Sequence, residues 1–171
     1  MLVRPHALRA AGGIEAIRSA LIDDCALGAA LKRHGPIWLG LTERVRSIRP
    51  YDRVQDIRHM VARSAYAQLR YSPLLLVGTM LGMALTYLSP PLLALLASGY
   101  AQGIGLVVWS LMAVSFQPIL RAYRLSPLWG LALPLITLGY MVFTLDSAYQ
   151  HWRGRGGLWK GRVQANVAGQ A

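Results

Sequence analysis

Acid is scarce in this chain: seven of its 171 residues are Asp or Glu, against eighteen Lys or Arg, for a formal net charge of +11. Cysteine is scarcer still. The single Cys25 excludes an internal disulfide framework and any multi-cysteine metal site. The four histidines, His6, His34, His59 and His151, are scattered without metal-ligand spacing. Charge of either sign is missing altogether from residues 73–120 and again from 125–145. An uncharged stretch of that length exceeds any core helix of a soluble protein, and a membrane span needs only about 20 apolar residues. A purely soluble globular protein is therefore excluded. The positive surplus makes membrane surfaces and anionic ligands the first partners to consider.

What is present divides the chain in three. Twelve basic residues precede Pro73, two stand at Arg121 and Arg124, and four lie between Arg153 and Arg162. Met1–Ala11 carries no apolar core of a signal peptide, and no period of 20–50 residues recurs. The first fifty residues read as part of an α/β unit. Short helices are predicted over His6–Ala11, stopped by Gly12-Gly13, and over Ile14–Leu21. A third is predicted from about Asp24 to His34, capped by Asp23 and ended by Gly35-Pro36. Ile37-Trp38-Leu39 and Val45–Ile48 are strand-like. Fifty residues bury too little apolar surface for a robust isolated domain.

Pro50 suits the first turn of a helix over Tyr51–Arg70. Val54, Ile57, Val61, Ala65 and Leu69 recur at three- and four-residue steps, with Asp52, Asp56, His59, Arg63 and Arg70 opposite. A basic amphipathic helix immediately before an apolar block reads as one lying in the lipid interface.

As one helix, residues 73–120 would run about 72 Å, against a hydrocarbon core of about 30 Å, so the segment must turn back. Pro90-Pro91 and Gly99–Gly103 are the candidate breaks. Spans are predicted at 73–96, 103–120 and 128–145, with Pro90 kinking the first and Pro134 the third. Gly78, Gly82 and Ala84 offer small surfaces for helix packing. Seven arginines between Arg44 and Arg70, with Arg121 and Arg124, fall on one side of this layout, which should be the cytoplasm. The tail, with Arg153, Arg155, Lys160 and Arg162, then lands outside, against the same rule. Four passes or a re-entrant segment would bring it back.

Chemistry concentrates at Asp23-Asp24, two adjacent carboxylates at a helix start. Such a pair can hold a cation, or one can act as a general base while the other orients it; a plain helix cap is the competing reading. Cys25 has no base nearby in sequence and reads as a small buried residue.

Asp23-Asp24-Cys25-Ala26-Leu27-Gly28 followed by Leu31-Lys32-Arg33-His34-Gly35 resembles the (E/D)D-x-x-L-(G/A)…L-(R/K)-x-x-G segment of family 2 glycosyltransferases with a GT-A fold. Leu2-Val3-Arg4 resembles the stretch before that acid pair. Pro36–Leu41, Met60–Tyr66, Asp146–Gly157 and Trp159-Lys160-Gly161-Arg162 are similar to the hopanoid-associated members, relatives of the ceramide glucosyltransferases. The resemblance covers nearly the whole chain and lies in the ordered set rather than in one motif. It implies that Asp24 is the base that deprotonates an acceptor hydroxyl, with Asp23 beside it. It also implies that Arg63 stands where the family's (Q/R)xxRW arginine contacts substrate, although Met60 and Ser64 occupy the flanking signature positions. By their residue types, Trp159, Lys160 and Arg162 in the tail suit contacts to diphosphate or lipid headgroups, headgroup anchoring being the favoured reading.

No Asp-x-Asp occurs in the 171 residues. The resemblance therefore leads to the expectation of a carboxy-terminal portion of a longer enzyme, inactive in sugar transfer alone. Nucleotide sugar and a divalent metal, Mg²⁺ or Mn²⁺, would bind only in the full-length form, and no metal site is expected in this chain. The expected architecture is mostly α: residues 1–50 a remnant of a GT-A α/β domain, 51–72 the interfacial helix, 73–146 a bundle of about three transmembrane helices, and 147–171 a basic tail. The expected setting is multi-pass in the inner (cytoplasmic) membrane, with the amino-terminal region cytoplasmic and a lipid acceptor as partner. The other reading is a small non-enzymatic membrane anchor or assembly protein with a basic lipid-facing surface. Nucleic acid is not an expected partner, because the basic residues spread over three regions without interleaved aromatics.

Overall fold

The computed structural model describes residues 1–40, 42, 51–155, 158–159 and 162–163, and among these the chain is mostly helical. Helix α1 (Pro5–Ala10) starts on a proline and ends where Gly12 turns to φ +87°, with the Gly12 and Gly13 N–H groups donating back to the Arg9 and Leu8 carbonyls. Over the expected helix Ile14–Leu21 only a 3₁₀ turn, Glu15–Ile17, forms. Ile14 remains 60% exposed, so little packing offsets the cost of nucleating so short a helix. Helix α2 (Asp23–Lys32) buries Leu27 and Leu31, one turn apart. Ile37-Trp38-Leu39, expected as a strand, is exposed chain outside any sheet, with Leu39 98% exposed. Val45–Ile48 lies outside the described residues.

Helix α3 (Val54–Gln68) is shorter at both ends than the predicted Tyr51–Arg70. Arg53 is extended before it. After it Arg70 takes φ +53°, and the N–H groups of Arg70 and Tyr71 donate to the carbonyls of Ala67 and Tyr66, a Schellman ending. The predicted apolar stripe is only partly used. Ile57, Val61, Ala65 and Leu69 are half-buried, Val54 is exposed, and the most deeply buried side chain is Tyr66.

Two long apolar rods follow. Helix α4 (Pro73–Met83), capped by the Ser72 hydroxyl accepting from the Leu75 N–H, continues through a π turn at Ala84–Leu88 into α5 (Ser89–Leu96). Pro90 has no N–H and crowds the carbonyl four residues back; one wider turn absorbs this without ending the rod. Pro90-Pro91 is thus a bulge rather than the chain reversal. The reversal comes at Ala97–Gly99, where Gly99 has φ +64°. Helix α6 (Tyr100–Ser115) runs almost unbroken into α7 (Gln117–Ala122), which ends on a second Schellman turn with Arg124 at φ +55°. Pro73–Leu96 and Tyr100–Ala122 are each long and apolar enough to cross a membrane. A core helix of a soluble protein would be mostly covered, whereas Leu74, Leu81, Leu85, Leu96, Leu111 and Val114 all lie open.

The rods touch where Gly105 meets the α5 backbone. A Cβ at Gly105 would lie 2.5 Å from the Ala94 nitrogen and 2.7 Å from the Pro90 oxygen. Gly78 and Gly82, expected to serve close packing, face open space instead. Gly105→Ala should therefore cost about 1–3 kcal/mol by overpacking, read as reduced resistance to denaturant in detergent. Gly78→Ala should leave it unchanged; equal behaviour of the two variants would remove the close contact from the account.

The third apolar run departs from a simple span over 128–145. A 3₁₀ turn, Pro127–Gly130, precedes α8 (Leu133–Trp152), which extends well past residue 145 to include Asp146, Gln150 and His151. Pro134 lies in the first turn of α8, where it starts the helix rather than kinking it. Pro134, Thr137, Thr144, Ser147 and Ala148 are its buried residues. A third Schellman ending closes α8 at Gly154, φ +69°. Two-residue strands β1 (Leu158–Trp159) and β2 (Arg162–Val163) pair antiparallel.

Candidate active site

The acid pair opens α2, at the positive end of its dipole. Asp23 does not cap the helix as expected; Ile22 holds the cap position, and no side-chain bond closes it. Each carboxylate folds onto the next residue instead. The Asp24 N–H donates to Asp23 Oδ1 at 3.0 Å, and the Cys25 N–H donates to Asp24 Oδ1 at 2.8 Å. Both side chains are exposed, as is Cys25, contrary to the expectation of a small buried residue. Asp24 is thus an accessible carboxylate with one oxygen anchored, a form suited to accepting a proton from a hydroxyl brought to it.

Arg63 is half-buried on α3 rather than on a solvated face, between an exposed Met60 and a half-buried Ser64. Trp159 and Arg162 are register partners in the β1–β2 pair, and Lys160 lies outside the described residues.

A second cluster, where α3 crosses the end of α8, escaped sequence reasoning. Arg58 Nε donates to Asp146 Oδ2 at 2.9 Å, and Gln150 Nε2 to Asp146 Oδ1 at 3.4 Å. The Arg58 hydrogen bond holds the Asp146 carboxyl below the usual aspartate range, against a smaller opposing push from burial. The stabilisation this gives is present at neutral pH and lost only in acid, as pH falls through the lowered value. The Ser147 hydroxyl accepts from the Tyr66 N–H at 3.0 Å, and the Tyr66 hydroxyl donates to the Tyr71 carbonyl at 2.8 Å. Edge-on contacts join Tyr66 to Tyr71, His151 and Trp152, while Tyr71 stacks on His151 at 4.3 Å. Burial raises the Tyr71 hydroxyl pKa. The signal was there in sequence: Asp146 is the one acid in 73–155, and a lone acid beside an apolar run needs a partner.

A family model for glycosyl transferase family 21 matches residues 1–158. The chain belongs to that family. The resemblance read from the residues pointed to family 2 and its ceramide glucosyltransferase relatives; the match bears out a ceramide glucosyltransferase-like glycosyltransferase and gives the family as 21. No curated protein and no solved structure matches.

The divalent cation that the resemblance implies for a full-length form needs a converging set of oxygen donors. Asp23 and Asp24 each spend an oxygen on a neighbouring amide, and no group of three His, Cys, Asp or Glu converges among the described residues. The donor set does not fit a divalent site.

Proposed function

We propose that this chain forms the acceptor side and membrane portion of a glycosyltransferase that moves a sugar from a nucleotide-sugar donor to a lipid hydroxyl. The acceptor class is a hopanoid-like polycyclic alcohol. The observation that carries this reading is the family match over residues 1–158, which runs through the acid pair and both apolar rods. In the proposed reaction an Asp24 carboxylate oxygen takes the proton of the acceptor hydroxyl. The acceptor's hydroxyl oxygen, freed of its proton, attacks the anomeric carbon, the bond from carbon to the donor's diphosphate breaks, and the nucleoside diphosphate leaves with the electron pair. Asp23 orients its neighbour, and Arg63, Trp159, Lys160 and Arg162 supply cationic and aromatic contacts to the substrates. An amphipathic α3 beside apolar rods suits the task, since the alcohol must be presented from the bilayer. The setting that follows is an inner (cytoplasmic) membrane, multi-pass, with residues before Pro73 on the cytoplasmic side.

One observation favours a second reading. Both carboxylates of the acid pair are exposed, as suits a non-enzymatic anchor or assembly protein with a basic lipid-facing surface. Deleting the gene in its source and comparing lipid extracts by mass spectrometry separates the two. Loss of a glycosylated polycyclic lipid, restored by the wild-type gene, is expected; an unchanged extract leaves the anchor.

A further inference from the structure

The two apolar rods are antiparallel. Helices α4 and α5 lead away from the end where α3 sits, the Ala97–Gly99 turn reverses the chain, and α6 and α7 bring it back. With 24 and 23 residues the rods are nearly equal in length, so Ala122 returns to the level of Pro73. A third full crossing would carry Arg153 to the opposite side.

The contacts of α8 rule that out. Its carboxy-terminal end sits at the α3 end of the bundle: Ala148 packs with Tyr66 and Leu76, while Asp146 and Ser147 bond to Arg58 and Tyr66. The segment that leads into α8 lies deep beside α6. A Cβ on Gly130 would fall 2.8 Å from the Ala113 oxygen, and Trp109 Nε1 donates to the Leu131 carbonyl at 3.3 Å. Ala113 and Trp109 precede Ala122 by nine and thirteen residues, hence by about 14 and 20 Å along the rod. Residues 125–132 therefore climb into the bundle, and α8 descends to the end from which they came.

Non-helical backbone at such depth is tolerated only where protein satisfies its polar groups. That condition is met here. Gln117 Nε2 reaches both the Ala113 and Pro127 carbonyls, Trp109 serves Leu131, and 3₁₀ bonds from Trp129, Leu131 and Ala132 close the turn.

We infer that α8 is the returning limb of a re-entrant arm rather than a third crossing. The ends of α3, α7 and α8 then share one membrane face, where Arg70, Arg121, Arg124, Arg153 and Arg155 form a rim that binds the phosphate headgroups of anionic phospholipid. Charge complementarity selects this occupant. Residues 51–155 carry eight arginines and three acids, none of them between Pro73 and Leu120. Of the acids, Asp146 is bonded to Arg58, while Asp52 and Asp56 lie at the far end of α3 from Arg70. The turn at the opposite end, Ala97–Tyr100, is uncharged. All five rim arginines are exposed, and each stands in or just after the last turn of a helix, where cations are favoured by the dipole. The arrangement also removes the conflict with the positive-inside rule that three full spans create.

This inference rests on the membrane reading given above, and the test separates the two. In a Cys25→Ser background, Ser98→Cys and Arg155→Cys are each probed with a membrane-impermeant maleimide in right-side-out and inverted vesicles. Labelling of the two positions from opposite sides is expected. Labelling from the same side makes α8 a full span and overturns the inference alone; labelling of Ser98→Cys in both vesicle types removes the membrane crossing itself, and the inference with it. The occupant is read by native mass spectrometry after extraction from bilayers of phosphatidylcholine and phosphatidylglycerol. Retained phosphatidylglycerol should fall at least about tenfold in R70Q/R121Q/R153Q/R155Q; equal retention overturns the lipid-binding rim.

Discussion

Asp24→Asn, placed in a glycosyltransferase form that turns over, should lower transfer to the lipid acceptor by about 10²–10⁴-fold, the range set by removal of a general base. The amide is nearly isosteric and keeps an oxygen able to accept the Cys25 N–H, so α2 should start as before. Because the side chain is exposed, neither membrane insertion nor unfolding should change. The loss should appear in kcat rather than in the apparent affinity for the donor, since the proton is taken only as the acceptor attacks. Asp23→Asn, in the orienting position, should cost less. Full turnover in Asp24→Asn would take the base role away from this residue and leave the acid pair as an ordinary helix start.

The parts of the fold that could be read from sequence were those fixed by local composition. Two runs without charge, broken by a glycine-bearing turn, form helices of membrane-crossing length, because length and apolarity are properties of the run itself. The third run has similar apolarity, and composition does not distinguish a crossing from a returning arm. The difference rests on contacts between residues far apart in sequence, Gly130 on Ala113 and Asp146 on Arg58, which no periodicity encodes. The packing glycines were misplaced for the same reason: Gly78 and Gly82 have helical spacing, but what faces a glycine is decided by the neighbouring helix. In the amino-terminal region Ile37-Trp38-Leu39, expected as a strand, is exposed chain, and only the short helices were legible as types. Their lengths were not, since segments of eight residues depend on what packs against them. The candidate site divides likewise. Which acids stand at a helix start was readable; that each carboxylate folds onto the next amide and remains open to solvent was not.

The largest effect on stability should come from Tyr66, the one large side chain that is fully buried among the described residues. Its ring fills the junction of α3, the Tyr71 turn and the end of α8, and its hydroxyl reaches the Tyr71 carbonyl. Tyr66→Ala should cost about 3–5 kcal/mol, the range for deleting a buried aromatic whose cavity cannot collapse. Tyr66→Phe keeps the ring and gives up one hydrogen bond, for about 1 kcal/mol. Unfolding of the purified protein in detergent measures both. Combining either change with His151→Ala asks whether the aromatic contacts act together: residues in direct contact should show a coupling of about 0.5–3 kcal/mol, whereas independent sites would add. Arg58–Asp146 is a single part-buried pair, in which desolvation offsets much of the attraction. The Tyr66 ring must therefore supply most of the docking of α3, and with it the fixed position of the amphipathic helix from which a lipid alcohol would approach. If Tyr66→Ala proves as mild as Tyr66→Phe, α3 is held by backbone and aliphatic contacts alone, and the aromatic cluster is free for another role.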